Sequence, residues 1–352
     1  MILLSLCLSV TQASELSVKN VLSDDTIETY LKLYLLLYAD DTVIFAESSS
    51  HLQLALNSMS EYCKLWKLTV NSSKTKVFVF SRGKCRNIPT FYLDSDELER
   101  VDDFSYLGIK FNYNGKFIKT MKYLCGQARK AMFSVLKKSR NLCLDLDLQI
   151  HLFDSMICPI LLYMYGSEVW GIENTSIISS FHLQYIRLVL NMRKSTSNVM
   201  LYGELGILPI EHIIKSRVIH FWCHIISDKS CKISNILYRL MLRLHEQNVI
   251  HSQYIDFVQT SLNNLEFSDV WLQQSVNSVK IFVELLKKRL KDQFNQSWSA
   301  NVFNSNKCTI FRIFKNSCHG LLKIIGIFYL NILLYNSVDL GVATINCQLK
   351  KI

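Results

Sequence analysis

The sequence predicts an α+β protein, with hairpins and one helix over residues 31–112 and a long helical remainder. Three observations carry this prediction. Apolar, β-prone runs from Leu31 to Leu37 and from Thr42 to Ala46 flank the adjacent carboxylates Asp40 and Asp41, as expected for strands joined at a turn. Beyond residue 113 apolar residues recur in steps of three and four, the period of a helix face. Across 352 residues there are only three prolines and eleven glycines, and 49% are hydrophobic, which excludes a disordered chain and allows a large core.

Taken in order, Tyr38-Ala39-Asp40-Asp41 is the expected hairpin tip, either an ordinary turn or a platform for a hard cation such as Mg²⁺. Ser48-Ser49-Ser50 is an N-cap cluster, and Leu52, Leu54, Ala55, Met59, Tyr62, Cys63 and Trp66 continue as a helix to about Lys67. A loop through Asn71, Ser72, Ser73, Lys74 and Thr75 leads to a strand at Val77 to Phe80. Strand, carboxylate turn, strand, helix and strand in that order resemble the second half of a polymerase palm.

After the turn Asn112-Tyr113-Asn114-Gly115, the residues Phe117, Met121, Leu124, Ala128, Ala131 and Val135 mark a helix of about five turns. From Lys110 to Leu144 there are nine Lys and Arg residues and no Asp or Glu. A solvated helix usually mixes its signs. A purely basic face on an apolar-backed helix suits phosphate contacts, and Lys119, Lys122, Arg129, Lys130, Lys137 and Lys138 are the candidates. The net charge of +10 agrees with a polyanionic partner, although an anionic membrane surface or simple solubility would also account for it.

The region from Leu36 to Ser81, LLYADDTVIFAESSSHLQLALNSMSEYCKLWKLTVNSSKTKVFVFS, closely resembles the reverse transcriptases of non-LTR retrotransposons. The resemblance implies that Asp40 and Asp41 hold the catalytic metals, with Tyr38 and Ala39 beneath the nucleotide and primer end. Asn71, Lys74 and Thr75 match the N-x-x-K-T element, and Phe104-Ser105-Tyr106-Leu107-Gly108 looks like the F-x-Y-L-G primer-grip hairpin. Phosphoryl transfer of this kind uses two cations about 4 Å apart. Asp40 would bridge them, Asp41 would assist, and Lys74 would neutralise or protonate the leaving group. Otherwise Lys74 is a solvated loop lysine, Tyr106 a core aromatic and Gly108 a strand glycine. The implied partners are an RNA template, a DNA primer duplex and dNTP, with no small-molecule cofactor.

Pro159 to Gly171 is similar to a further family signature, interrupted by two extra residues at Met164 and Tyr165. The resulting division is 1–30, an N-terminal remnant; 31–112, a partial palm; 113–200, a helical thumb-like region; 201–316, a helical C-terminal region, with Pro209 starting one helix; and 317–352, an apolar tail. With 37 residues before Tyr38, the expectation is a truncated copy whose two-metal site is incomplete and which is inactive alone. The alternatives are a non-catalytic nucleic-acid-binding protein and an unstable pseudogene product.

Eleven scattered cysteines without a C-x-x-C pair indicate reduced thiols and an intracellular protein of the nucleus or cytoplasm, rather than a secreted one. His220, Cys223 and His224 share a predicted helix, read as a structural face rather than a metal site. Lys287-Lys288-Arg289 is read as a solvated helix end. Gly320 to Tyr335 is apolar but short and broken by Lys323 and Asn331, so membrane insertion is not expected.

Overall fold

The computed structural model describes residues 35–38 (backbone), 41–81, 89–162, 166–227, 233–308 and 311. These fall into two compact units, one drawn from Met1–His182 and Ile210–Leu290 and the other from Leu183–Pro209 and Lys291 onward.

The first described elements of the first unit are β1 (Leu35–Tyr38) and β2 (Asp41–Ile44), an antiparallel pair in which Tyr38 faces Asp41 and Leu35 faces Ile44. Helix α1 (Ser49–Leu65) follows. Ser48 caps it: the backbone there is extended and the hydroxyl accepts from the His51 N–H at 3.2 Å, satisfying a donor that the first turn leaves open. Leu56 and Cys63 of α1 are buried.

Beneath α1 lies a three-stranded sheet in the order β3 (Lys76–Phe78), β5 (Asp96–Val101), β4 (Phe91–Leu93). Strand β5 runs antiparallel to β4 and parallel to β3. Leu56, Val77, Phe91, Leu93 and Leu98 form the core between helix and sheet, and Ile44 of β2 packs against it. Gln53 of α1 closes one sheet edge. Its amide donates to Tyr92 O at 2.8 Å and accepts from Tyr92 N at 3.0 Å, supplying both bonds a neighbouring strand would otherwise make.

The β4–β5 hairpin and the parallel β3–β5 pair are additions to the predicted strands. A third hairpin, β6 (Asp103–Tyr106) and β7 (Ile109–Asn112), follows directly. The predicted turn beyond it is present, with Gly115 at φ 71°.

Helix α2 (Ile118–Asn141) is the basic, apolar-backed helix the sequence predicts, one turn longer than its apolar ladder suggested. Met121, Leu124, Cys125, Ala128, Met132, Val135 and Leu136 are buried along one face. Next come α3 (Leu146–Leu152), a π turn (Phe153–Ile157) and α4 (Cys158–Leu162). The π turn precedes Pro159, whose ring lacks an N–H and crowds the preceding turn, and a widened turn absorbs that mismatch. Met164 and Tyr165 lie outside the described residues.

Helices α5 (Ser167–Trp170), α6 (Ser176–Val189) and α7 (Asn198–Leu205) precede α8 (Ile210–Ser227), which starts immediately after Pro209 as predicted. They are followed by α9 (Ile233–Glu246), α10 (Gln253–Asn263), α11 (Ser268–Gln273) and α12 (Val279–Asn304). In the first unit Trp170 and Trp222 are fully buried. A side chain at Gly171 would bring a Cβ to 2.2 Å from Ser167 O and 2.5 Å from Ile214, so glycine permits the contact of α5 with α8.

The second unit has its own core of Ile186, Leu201, Tyr202, Phe294, Trp298, Val302, Cys308 and Phe311. Trp298 lies against Gly203, and its indole N–H donates to Val199 O at 2.8 Å.

All six described cysteines are free. Cys223 is buried, and burial pushes its thiol up to about 12, whereas His220 and His224 are exposed with their Nε2 atoms 3.0 Å apart. The three side chains therefore do not converge on one ion. Arg289 pairs with Glu266 at 2.8 Å. Among the described residues no helix is long and apolar enough to cross a membrane. The apolar stretch Gly320 to Tyr335 lies outside them.

Candidate nucleic-acid interface

The register of β1 against β2 leaves two residues, Ala39 and Asp40, to join Tyr38 to Asp41. Ala39 and Asp40 lie outside the described residues, and Tyr38 is described by its backbone alone. Asp41 opens β2 with its carboxylate exposed at the hairpin end. Exposed carboxylate oxygen is the donor Mg²⁺ prefers, so this side chain fits the implied ion. Its charge reaches a second element, because burial and then the Asp41 carboxylate hold the Tyr106 phenol above its ordinary pKa. The first and third hairpins are thus brought within electrostatic reach of each other.

The N-x-x-K-T element is a self-bonded loop. Asn71 Oδ1 accepts from Lys74 N at 3.1 Å and from Ser73 Oγ at 2.6 Å, and Asn71 O accepts from Thr75 N and Thr75 Oγ1. Asn71 and Thr75 therefore shape the loop. Lys74 is exposed, and its ammonium has no partner among the described residues.

Tyr106, Leu107 and Gly108 carry the turn of the third hairpin. Leu107 has φ 47° and Gly108 φ 79°, the two left-handed residues of a tight hairpin turn whose twist matches its strands. Gly108 is required by that turn rather than by a strand. Leu107 adopts a conformation costly for a bulky side chain and stands 42% exposed.

This hairpin is clamped to α2. Asp103 Oδ1 accepts from Asn112 Nδ2 and Asp103 Oδ2 from Lys119 Nζ at 2.6 Å, and these donors hold the Asp103 carboxyl below its ordinary pKa. The Thr120 hydroxyl donates to Lys110 O. Lys119 thus spends its charge on the hairpin. At the start of α2 the Glu173 carboxylate accepts the N–H of Phe117, whose own side chain makes no cap.

At 100° per residue, Lys122, Arg129, Lys130 and Lys137 fall within an arc of about 100°, with Lys138 displaced to its side. All five are exposed and none has a carboxylate partner among the described residues. Arg129 lies over the Phe181 ring at 5.9 Å. The structure adds residues to this face. Arg140 lies in the same arc three positions beyond Lys137, and Tyr123 and Phe133 are exposed between the cations, with Lys110 over the Tyr123 ring at 4.2 Å. Their signal is the same helical spacing, which places Arg140 with the cations and Tyr123 and Phe133 between them.

Residues 14–111 match the family model described as reverse transcriptase (RNA-dependent DNA polymerase), a match that ends within β7. A putative uncharacterized transposon-derived protein of Caenorhabditis elegans is 29% identical over 137 residues, covering 38% of this chain and 47% of that protein. A probable RNA-directed DNA polymerase from transposon BS of Drosophila melanogaster is 22% identical over 224 residues, covering 60% of this chain and 24% of that protein. The matches thus span less than half of either curated relative. No solved structure matches the chain. With a reverse-transcriptase match across the hairpins and transposon relatives extending beyond it, residues 14–111 are similar to reverse transcriptases and the longer chain to proteins of transposon origin.

Proposed function

We propose that the chain grips a template–primer duplex, an RNA strand paired with DNA, by its phosphate backbone, and that it is the non-LTR kind of retroelement protein. The exposed, one-signed face of α2, locked through Asp103 and Thr120 to the Leu107-Gly108 hairpin, carries this reading. Lys122, Arg129, Lys130, Lys137, Lys138 and Arg140 supply charge without reading bases, and Tyr123 and Phe133 supply flat surfaces. Leu107 and Gly108 would lie along the primer strand, with Tyr106 behind them.

Asp40 and Asp41 would hold Mg²⁺, which when bound would polarise the phosphate and activate the primer hydroxyl for RNA-directed DNA synthesis. Asp41 brings an exposed carboxylate to that end of the hairpin, and Lys74, on the loop before β3, an ammonium without a partner among the described residues. The reduced thiols suit the cytoplasm or nucleus, where such a template is found.

The test is anisotropy with a labelled RNA–DNA hybrid, followed by primer extension on an RNA template with Mg²⁺. Saturable binding that falls at least about tenfold in the Lys137→Glu, Lys138→Glu double variant is expected. Equal binding by that variant overturns the proposal. Extension abolished by Asp41→Asn assigns the chemistry to this chain, and binding without extension assigns it the grip alone.

A further inference from the structure

Within the first unit, and apart from the basic face, the start of α2, the Val169–Ile177 segment, α8, α9 and α10 enclose a cleft of about 960 Å³. That volume suits a small organic molecule. Phe117, Ile172, Ile177, Phe221, Met241 and Phe257 line it with apolar surface.

The charges in its wall are unequally matched. Glu168 Oε1 accepts from Arg217 Nε at 3.3 Å. Glu173 accepts the Phe117 N–H with both oxygens at 3.1 Å. Asp256 lies between His245 Nε2 at 3.5 Å and His251 Nδ1 at 3.3 Å. Lys215 of α8 also lines the cleft, half-buried, and its ammonium has no hydrogen-bond or ion-pair partner among the described residues. Burial is the sole influence on its pKa and lowers it, as expected of a cation without a counter-charge.

We propose that this cleft binds a small aromatic anion, with its acidic head on Lys215 and its ring against the phenylalanine-lined wall. A cation would meet the Lys215 ammonium, and the carboxylates of Glu173 and Asp256 are already engaged, which leaves only the buried Oε2 of Glu168 without a partner among the described residues. A neutral aromatic would leave the ammonium bare in a partly desolvated site, whereas an anion supplies the missing charge and a charge-assisted hydrogen bond. His245 and His251 do not turn the corner beside the cleft into a metal site. The Ser252 N–H donates to His245 Nδ1 at 3.2 Å, which keeps the hydrogen on Nε2, the atom that faces Asp256.

The experiment uses the full chain and anilinonaphthalene sulfonate as a fluorescent aromatic anion. It should bind with one-to-one stoichiometry and be displaced by naphthoate but not by naphthylmethanol, which has the same ring and no charge. Lys215→Met keeps the apolar stem and should weaken naphthoate by about tenfold or more, the usual weight of a hydrogen bond to a charged group. Lys215→Arg should restore affinity to within about threefold, because it restores the charge. Phe257→Ala should weaken the sulfonate and naphthoate alike. Thermal melting of each variant accompanies the titrations, and Lys215→Met should melt no lower than the parent, since the ammonium it removes has no partner. Unchanged naphthoate affinity in Lys215→Met, equal displacement by the alcohol, or no saturable binding to the parent overturns the proposal.

Discussion

The basic face of α2 can be counted by salt. Each phosphate neutralised on a duplex releases counterion, and log K falls with log salt by about 0.9 per contact. Five cations without carboxylate partners, Lys122, Arg129, Lys130, Lys137 and Arg140, share one arc. At 1.5 Å per residue that arc runs about 27 Å along the helix, most of one duplex turn. The expected slope is therefore about −4.5, and raising salt from about 50 to 200 mM should weaken binding by about 500-fold. Lys119 belongs to the same arc but is held by Asp103 Oδ2 at 2.6 Å. Asp103→Asn releases it while keeping the Oδ1 acceptor that Asn112 uses, so the hairpin should survive. The slope of this variant should steepen by about 0.9, one added contact. Anisotropy of a labelled hybrid across a sodium chloride series measures both slopes. A parent slope shallower than about −2, or an Asp103→Asn slope no steeper than the parent's, refutes the assignment of this face to phosphates.

His182 is buried and stacked on Phe153 with ring centroids 5.0 Å apart, and burial lowers its pKa from 6.5 to about 4. The unfolded chain binds the proton first, so stability is lost as pH falls from about 6.5 toward 4, by on the order of 3 kcal/mol. Urea melts at several pH values should show this loss in the parent and little of it in His182→Phe, so parallel profiles would refute the assignment. The comparison cancels Asp154 and Glu173, whose raised pKa values act with the opposite sign. It also cancels Asp94 and Asp103, whose lowered values act below 3.8. Gly126 is exposed in the middle of α2, and a Cβ there would meet nothing within 4 Å. Gly126→Ala should stabilise the protein by about 0.8–1 kcal/mol, the difference in helix propensity, and a melting temperature that fails to rise would contradict the open face described there.

What could be read from the chain alone follows the range of the forces involved. The Asp41 hairpin, the Ser48 cap and the apolar ladder of α2 are local patterns, and each is present. The β4–β5 hairpin was missed because β5, Asp-Glu-Leu-Glu-Arg-Val, shows five polar or half-covered positions around one buried leucine, Leu98. Its stability comes from Val77 and Phe91 at a distance. Lys119 looked like its neighbours because its partner Asp103 lies sixteen positions earlier on another element. The π turn answers to Pro159, but a proline in a helix can equally produce a kink or an end. The cleft around Lys215 draws its lining from residues 114 to 264, and no window of sequence contains it.

The second unit is discontinuous, and this has a consequence during synthesis. Val199 and Trp298, joined by a hydrogen bond, stand 99 positions apart. At ribosomal rates of about 5–20 residues per second, Leu201 and Tyr202 emerge roughly 5–20 s before Phe294 and Trp298 exist to cover them. Gly203 stays uncovered for the same interval, until the indole that lies against it is made. A nascent chain paused between these two segments would therefore display a sticky apolar segment after the strands and α2 have already been made.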